Sequence, residues 1–307
     1  MGRIRSINIS EKKGTEKKEI TSCKVTSRGL ENDAHAGKWH RQISILGAES
    51  IDGFKKQTEI ELAPGAFGEN IVLEGIDMSK VSVLDKFIIG EVELEVTQIG
   101  KKCHGEGCSI FKRTGECIMP KEGVFVRVLK EGAINKRDHV KLIEKKLRIH
   151  IITLSDRAYE GEYPDQSGPE IEKIVSEYFS PFRWHLCIER DIIPDEPEIL
   201  KKMLVKDRRD RVDIVITTGG TGIGPRDNTP EVVLSLADKT ITGIMDHIRL
   251  LYGKDHPAAL ISRSVATVME KTFVFALPGS VKAVNEYTKE LLKNFEHLIL
   301  MLHGIGH

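Results

Sequence analysis

Thr217-Thr218-Gly219-Gly220-Thr221-Gly222-Ile223-Gly224-Pro225-Arg226-Asp227-Asn228-Thr229-Pro230-Glu231 decides the fold of the C-terminal half. Its first residue ends an apolar run, Val212–Thr217, that reads as a buried strand. Its last three open a helix: a threonine suited to capping, a proline for the first turn and an acid for the N-terminal dipole. Between them stand four glycines, which let backbone N–H groups turn inward without obstruction by Cβ. A glycine loop running into a helix N-terminus suits a phosphate. Arg226 can clamp a phosphate, and Asp227 is the kind of carboxylate that holds Mg²⁺ beside one. No Gly-Lys-Ser/Thr follows, so this is not a Walker loop. Proline after Gly224 also spoils a dinucleotide fingerprint.

Further strands and helices flank this loop. Leu147–Leu154 reads as a buried strand, Pro169–Phe179 as a helix, Pro230–Leu236 as a helix, Phe273–Leu277 as a strand and Val281–His303 as a long closing helix. This alternation predicts an α/β three-layer domain over residues 146–307. Its strands run into Ser155-Asp156-Arg157, the glycine loop and Pro278-Gly279-Ser280. Ligands of open α/β sheets sit at such carboxyl ends.

The C-terminal half resembles the molybdopterin adenylyltransferases and the related plant and gephyrin G domains. TTGGTGIGPRDNTPE looks like their signature. Ser155-Asp156-Arg157 with Asp165-Gln166-Ser167-Gly168-Pro169, Ile193-Pro194-Asp195-Glu196, ALISRS at Ala259–Ser264 and LPGS at Leu277–Ser280 match further motifs in order. The resemblance implies ATP-dependent transfer of AMP to the terminal phosphate of molybdopterin, with Mg²⁺ on Asp227. It implies catalytic Asp195 and Asp227. It implies substrate and nucleotide contacts from Ser155, Asp156, Ser167, Gly168, Thr218, Gly219, Gly220, Thr221, Gly222, Arg226, Thr229, Arg249, Ser262, Arg263, Pro278, Gly279 and Ser280. A homotrimer assembled through this half is also implied. A rival reading within the family is a carrier that binds molybdopterin or the finished cofactor without turnover; another is a nucleotide hydrolase. Where many relatives have a Pro-Gly-Phe segment, this chain has Gly243-Ile244-Met245-Asp246-His247-Ile248-Arg249, in which the arginine persists and His247 reads as a surface residue.

Residues 1–145 have a different texture. Gln42–Leu46, Asn70–Leu73, Phe87–Ile89, Val92–Val96 and Val124–Leu129 are short strand-like runs broken by glycine, and Ala48–Gln57 is the one clear helical pattern. They predict a β-rich, barrel-like domain. Arg28, Asn32, Asp33, His35, His40 and Arg41 cluster within fourteen residues. Asp33, His35 and His40 are donor types that zinc takes, although their spacing fits no standard finger. Cys103, Cys108 and Cys117 crowd into fifteen residues. With His104 they could hold zinc or an iron–sulfur cluster, or present a reactive thiol among Lys101, Lys102, Lys112 and Arg113.

With Gly65-Ala66-Phe67-Gly68-Glu69-Asn70-Ile71 and Gly123-Val124-Phe125-Val126-Arg127-Val128, these segments resemble the MOSC domain shared with molybdenum cofactor sulfurases. That resemblance implies cofactor binding, of molybdopterin or molybdenum, or sulfur carriage by a cysteine. Cys103 is in the common position, and Cys108 and Cys117 belong to a subgroup pattern. It also implies partners: a cysteine desulfurase and a molybdate-inserting protein.

Composition limits the alternatives. Lysine plus arginine balance aspartate plus glutamate at 46 each, with 25 basic and 22 acidic residues in positions 1–145, so no bulk attraction to nucleic acid or to an anionic membrane is expected. No apolar run approaches the roughly 18 residues of a membrane span. The N-terminus lacks the apolar core of a signal peptide, and five cysteines do not make a disulfide scaffold; the expected location is the cytoplasm.

Overall fold

The computed structural model describes residues 1–13, 15–102, 111 and 115–305 and divides into two compact units, Met1–Lys145 and Lys146–His307. Among the described residues no helix is long and apolar enough to cross a membrane.

The N-terminal unit contains β1 (Gly2–Ile9), β2 (Lys18–Ile20), β3 (Ser22–Thr26), β4 (Gly29–Leu30), β5 (Ile43–Gly47), α1 (Ala48–Thr58), β6 (Ile71–Glu74), β7 (Lys86–Ile89), β8 (Val92–Ile99), α2 (Met119–Glu122), β9 (Val124–Lys130), β10 (Gly132–Asn135) and β11 (His139–Ile143). Strands pair in the order β11-β7-β8-β9-β5-β6-β1-β2, and β11 also pairs with β1 through Gly2–Val140 and Arg3–His139. That pairing closes seven strands into a barrel and removes the free edges of β1 and β11. β5 and β6 are parallel, so a crossover is needed between them, and α1 lies on it. Alternate residues fill the barrel: Ile4, Ile45, Phe87, Leu94, Val126 and Val140 are all buried. A second apolar cluster, with Phe54, Phe67, Met119 and Phe125, lies under α1 and α2, and the half-buried Cys117 packs against it.

β8 departs from simple alternation. Glu95, expected on a solvated face, is buried, and Arg127 of the adjacent β9 meets it at 2.6–2.7 Å. The strand tolerates a buried acid because its cross-strand neighbour neutralises it.

The C-terminal unit contains β12 (Lys146–Leu154), α3 (Asp156–Tyr159), α4 (Ser167–Phe179), β13 (His185–Ile193), α5 (Pro197–Arg209), β14 (Ile214–Thr218), α6 (Thr229–Leu236), β15 (Lys239–Thr240), α7 (Thr242–Gly253), β16 (Val265–Met269), β17 (Thr272–Leu277) and α8 (Val281–Leu302). The sheet order is β13-β12-β14-β17-β16-β15; the first four strands are parallel, and β16 pairs antiparallel with both β17 and β15. Strand residues alternate between two helical layers. Ile152, Val215 and Val274 pack with Leu200 and Leu204 of α5 and Val232 of α6. On the opposite face Phe275 stacks on Phe295 of α8 with centroids 5.3 Å apart. This is the expected three-layer α/β arrangement.

Candidate functional site

The parallel strands aim their carboxyl ends at one edge of the C-terminal sheet, and four loops gather there. After β12, Ser155 caps α3 by accepting the Ala158 N–H at 3.3 Å. After β13 comes Asp195, after β14 the glycine loop, and after β17 Pro278-Gly279-Ser280, where Ser280 caps α8 through the Ala283 N–H. Thr218 ties two of these loops together by donating to the Pro278 carbonyl at 2.9 Å. Gly219 adopts φ +107°, and a Cβ there would collide with the Leu154 carbonyl; a Cβ on Gly279 would press against Gly219 at 3.3 Å.

Asp156 and Asp195 bind each other's backbones. The Asp195 N–H donates to Asp156 Oδ1 at 2.9 Å, and the Asp156 N–H to Asp195 Oδ2 at 3.3 Å. Arg226 lies across both, donating to the Asp156 carboxylate and, at 3.4 Å, to the Asp195 carbonyl. The Asp195 N–H and the Arg226 guanidinium hold the Asp156 carboxyl below its usual range. Burial pushes the Asp195 carboxyl up, and the charges of Asp156 and Asp227 push it further. Asp227 takes the Gly224 N–H on one carboxylate oxygen at 2.8 Å and fills the space a Cβ on Gly222 would need. A narrow cleft of about 200 Å³ opens beside Asp195, Arg226, Asn228 and Thr229.

Several predicted ligands have other partners. Ser167 and Gly168 are buried at the start of α4, where both N–H groups donate to Asp165, which also takes the Thr153 hydroxyl. Arg249 donates to the carbonyls of Ser262 and Ser264 and to Asp246. Ser262 and Ser264 share a hydroxyl contact of 2.8 Å. Arg263 donates through Nε to the Gly222 carbonyl at 2.7 Å and through its other nitrogens to Glu231 and the Asp227 carbonyl. Thr221 is buried, and its carbonyl takes the Arg263 N–H at 3.0 Å; Thr229 donates its N–H to Gly220. His247 is exposed.

The N-terminal unit has its own cleft, of about 550 Å³, lined among others by His35, Trp39, Arg41, Asn70, Lys101 and Phe125. The Arg41 guanidinium lies over the Trp39 ring at 4.9 Å, and its buried Nε has no partner among the described residues. Lys101 Nζ lies 5.9 Å from the Phe125 centroid. Asp33 stands behind this wall rather than in it. It is buried against Lys17 Nζ at 2.5 Å and accepts the N–H groups of Ser10 and His35. Burial works against the Asp33 charge, but the His35 and Lys17 hydrogen bonds outweigh it and hold the carboxyl far below its usual range. The His40 Nδ1 is buried with no partner among the described residues, and burial and the charges of Arg41 and Arg127 push the ring's pKa below its usual value.

Arg28 and Asn32 are exposed, the latter in the left-handed region. The zinc reading of Asp33, His35 and His40 is not met: among the described residues no three His, Cys, Asp or Glu side chains are placed to hold a metal. Cys103, Cys108, His104, Lys112 and Arg113 lie outside the described residues. Sequence reasoning missed Lys17, which sits in a charged run that reads as solvated, and Trp39, whose place opposite Arg41 has no spacing signature.

A glycine loop, three aspartates and an arginine thus meet at the carboxyl ends of a parallel sheet, the place where ligands of open α/β sheets sit. Comparison with known proteins makes this specific. Residues 150–297 match the family described as "Probable molybdopterin binding domain", and residues 32–141 match the MOSC domain. The chain is 32% identical over 160 residues to a molybdopterin adenylyltransferase of Helicobacter pylori, covering 52% of this chain and 89% of that protein. It is 35% identical over 165 residues to the molybdopterin adenylyltransferase of Escherichia coli, covering 52% and 80%. A molybdenum cofactor biosynthesis bifunctional protein of Synechococcus elongatus is 31% identical over 157 residues, covering 51% and 48%. The chain belongs to the molybdopterin adenylyltransferase family through its C-terminal half and carries a MOSC domain in its N-terminal half. It is thereby a protein of molybdenum cofactor biosynthesis.

Proposed function

We propose that the C-terminal unit transfers AMP from ATP to the terminal phosphate of molybdopterin and releases pyrophosphate. The observation that carries this reading is the meeting of Asp156, Asp195, Asp227 and Arg226 beside the glycine loop. The attacking group is itself a phosphate oxygen, so the enzyme needs neither a nucleophile nor a strong base. It needs alignment and charge neutralisation. Asp227 and Asp195 suit Mg²⁺: they are hard oxygen donors, and Asp195 sits where negative charge is in excess. Bound there, the metal would neutralise charge on the phosphates. Glycine-loop N–H groups hold a phosphate, and Arg226 exchanges its Asp156 contact for a phosphate oxygen. The test is pyrophosphate release by the purified full chain with molybdopterin, ATP and Mg²⁺. Binding of both ligands with no release would make the protein a carrier.

The reading extends to the N-terminal unit, whose cleft joins cations to an indole and a phenyl ring. That combination suits an aromatic anion, and a phosphorylated pterin or its molybdenum form is the ligand we assign to it. Cys103 is the thiol of the N-terminal half that we assign to sulfur or metal chemistry. Sulfur from a cysteine desulfurase and metal from a molybdate-inserting protein complete the scheme. Leu250, Leu251, Leu260 and Ile261 are exposed together on α7 and the following turn, an apolar surface that suits a homotrimer. Sedimentation of the full chain tests that assembly.

A further inference from the structure

We infer that Arg263 is a positioning residue that sets the direction of the phosphate-binding N–H groups and is not itself a phosphate ligand. The inference rests on the adenylyltransferase reading above. Each guanidinium nitrogen of Arg263, and its backbone N–H, makes a hydrogen bond to the protein. Nε takes the Gly222 carbonyl, Nη2 the Asp227 carbonyl, Nη1 the Glu231 carboxylate, and the backbone N–H the Thr221 carbonyl. One residue thus gathers three carbonyl oxygens from across the loop.

The consequence follows from peptide geometry. In a trans peptide the C=O and the next N–H point in opposite directions. Turning the oxygens of Thr221, Gly222 and Asp227 toward Arg263 therefore turns the N–H groups of Gly222, Ile223 and Asn228 away from it. None of these three donates to another described residue, whereas the neighbouring N–H groups of Gly224, Asp227 and Thr229 are all used within the loop. Asn228 also lines the narrow cleft beside Asp195 and Arg226. These donors are left unused by the protein before any ligand arrives, and preorganised donors are what stabilise developing phosphate charge. Glu231 completes the device: as the first-turn acid of α6 it holds the far side of the guanidinium. Arg226, by contrast, is exposed and has only a carboxylate and one long carbonyl contact to give up. The two arginines of the site divide the work, Arg226 toward the ligand and Arg263 toward the loop.

Amide-resolved NMR of the deuterated full chain, titrated with inorganic pyrophosphate and Mg²⁺, tests the inference on the wild type. The Gly222, Ile223 and Asn228 amides should shift, and the Arg263 Nε–H should stay in place. Movement of the Arg263 Nε–H as large as that of the amides would make it a direct ligand and overturn the proposal. R263Q should weaken pyrophosphate binding at least tenfold, lower kcat more than it raises the KM for molybdopterin, and erase the three amide shifts. R263K restores charge but not the three-way geometry and should not rescue. E231Q should give a smaller loss in the same direction without altering the fold. If R263Q binds pyrophosphate as the wild type does, the positioning role fails. If the wild type itself releases no pyrophosphate from ATP and molybdopterin, it is the adenylyltransferase reading that fails.

Discussion

In the C-terminal unit the unused donors of the glycine loop are backbone N–H groups, held by Arg263 beside the side chains of Asp195 and Arg226. The N-terminal cleft is lined by side chains, among them Arg41, Lys101, His35 and the rings of Trp39 and Phe125. Donors of the first kind are fixed in direction by peptide planes, so they can be aimed at charge that develops during a reaction. Donors of the second kind sit on rotatable stems and adapt to a ligand's shape, which suits retention more than turnover. The comparison assigns chemistry to one unit and binding to the other, and it can be broken at either end.

The largest expected effect is on folding. Asp33 and Lys17 are each 1% exposed at the side chain, so Asp33→Ala leaves an ammonium buried without its partner. The expected loss is about 3–5 kcal/mol in the N-terminal unit, read by urea unfolding. It should be matched on acidification. Because the folded Asp33 carboxyl lies below its unfolded value, its stabilisation is present above about pH 4 and is lost as pH falls toward the folded value. A D33A protein as stable as wild type would return Asp33 to the ligand-binding wall.

Next comes catalysis. Asp227→Ala removes the carboxylate that lies against the glycine loop and should cut pyrophosphate release by 10²–10³-fold, about 3–4 kcal/mol, while molybdopterin still binds. A variant keeping half the wild-type rate would end the metal-holding role of Asp227. The matching test of the N-terminal cleft is Arg41→Gln. Removing a charged donor whose Nε has no partner among the described residues should weaken retention of the phosphorylated pterin by about 1.5–3 kcal/mol and leave pyrophosphate release unchanged. Loss of release in R41Q would show that the two clefts do not divide the work as proposed.

What could be read from the sequence follows the same division. A backbone anion site needs consecutive glycines and a capped helix, so it is contiguous, and residues 217–231 announce it. The side-chain cleft is assembled from positions as far apart as 35 and 125, and no spacing records that. Edge strand β13, His185–Ile193, carries Glu189, Arg190 and Asp191 in a stretch exposed on both faces; it lacks the apolar run that reveals β12 and β14. The family resemblance implies Arg249 and Arg263 as substrate or nucleotide contacts. Only the structure shows the carbonyls on which their donors are used.

The smallest expected effect concerns His150, a polar residue in the buried strand β12. Its ring meets Asp207 of α5 at 2.8 Å and Asp191 of β13 at 3.1 Å. Burial disfavours the charged ring, but the hydrogen bond and charge of Asp207, with the charge of Asp191, outweigh it and raise the folded pKa above the usual value. A raised histidine pKa stabilises the folded form fully below the unfolded value of about 6.5, and that contribution disappears as pH rises through the folded value. The C-terminal unit should therefore unfold more easily at pH 8 than at pH 6. His150→Gln, which keeps a donor toward one carboxylate but cannot titrate, should flatten that slope and alter pyrophosphate release little. The pair Asp191→Asn and Asp207→Asn separates the two partners: the buried Asp207 should control most of the slope and the exposed Asp191 the remainder. A slope unchanged in H150Q would mean that the ring is neutral in the fold and that the two aspartates are held by other donors.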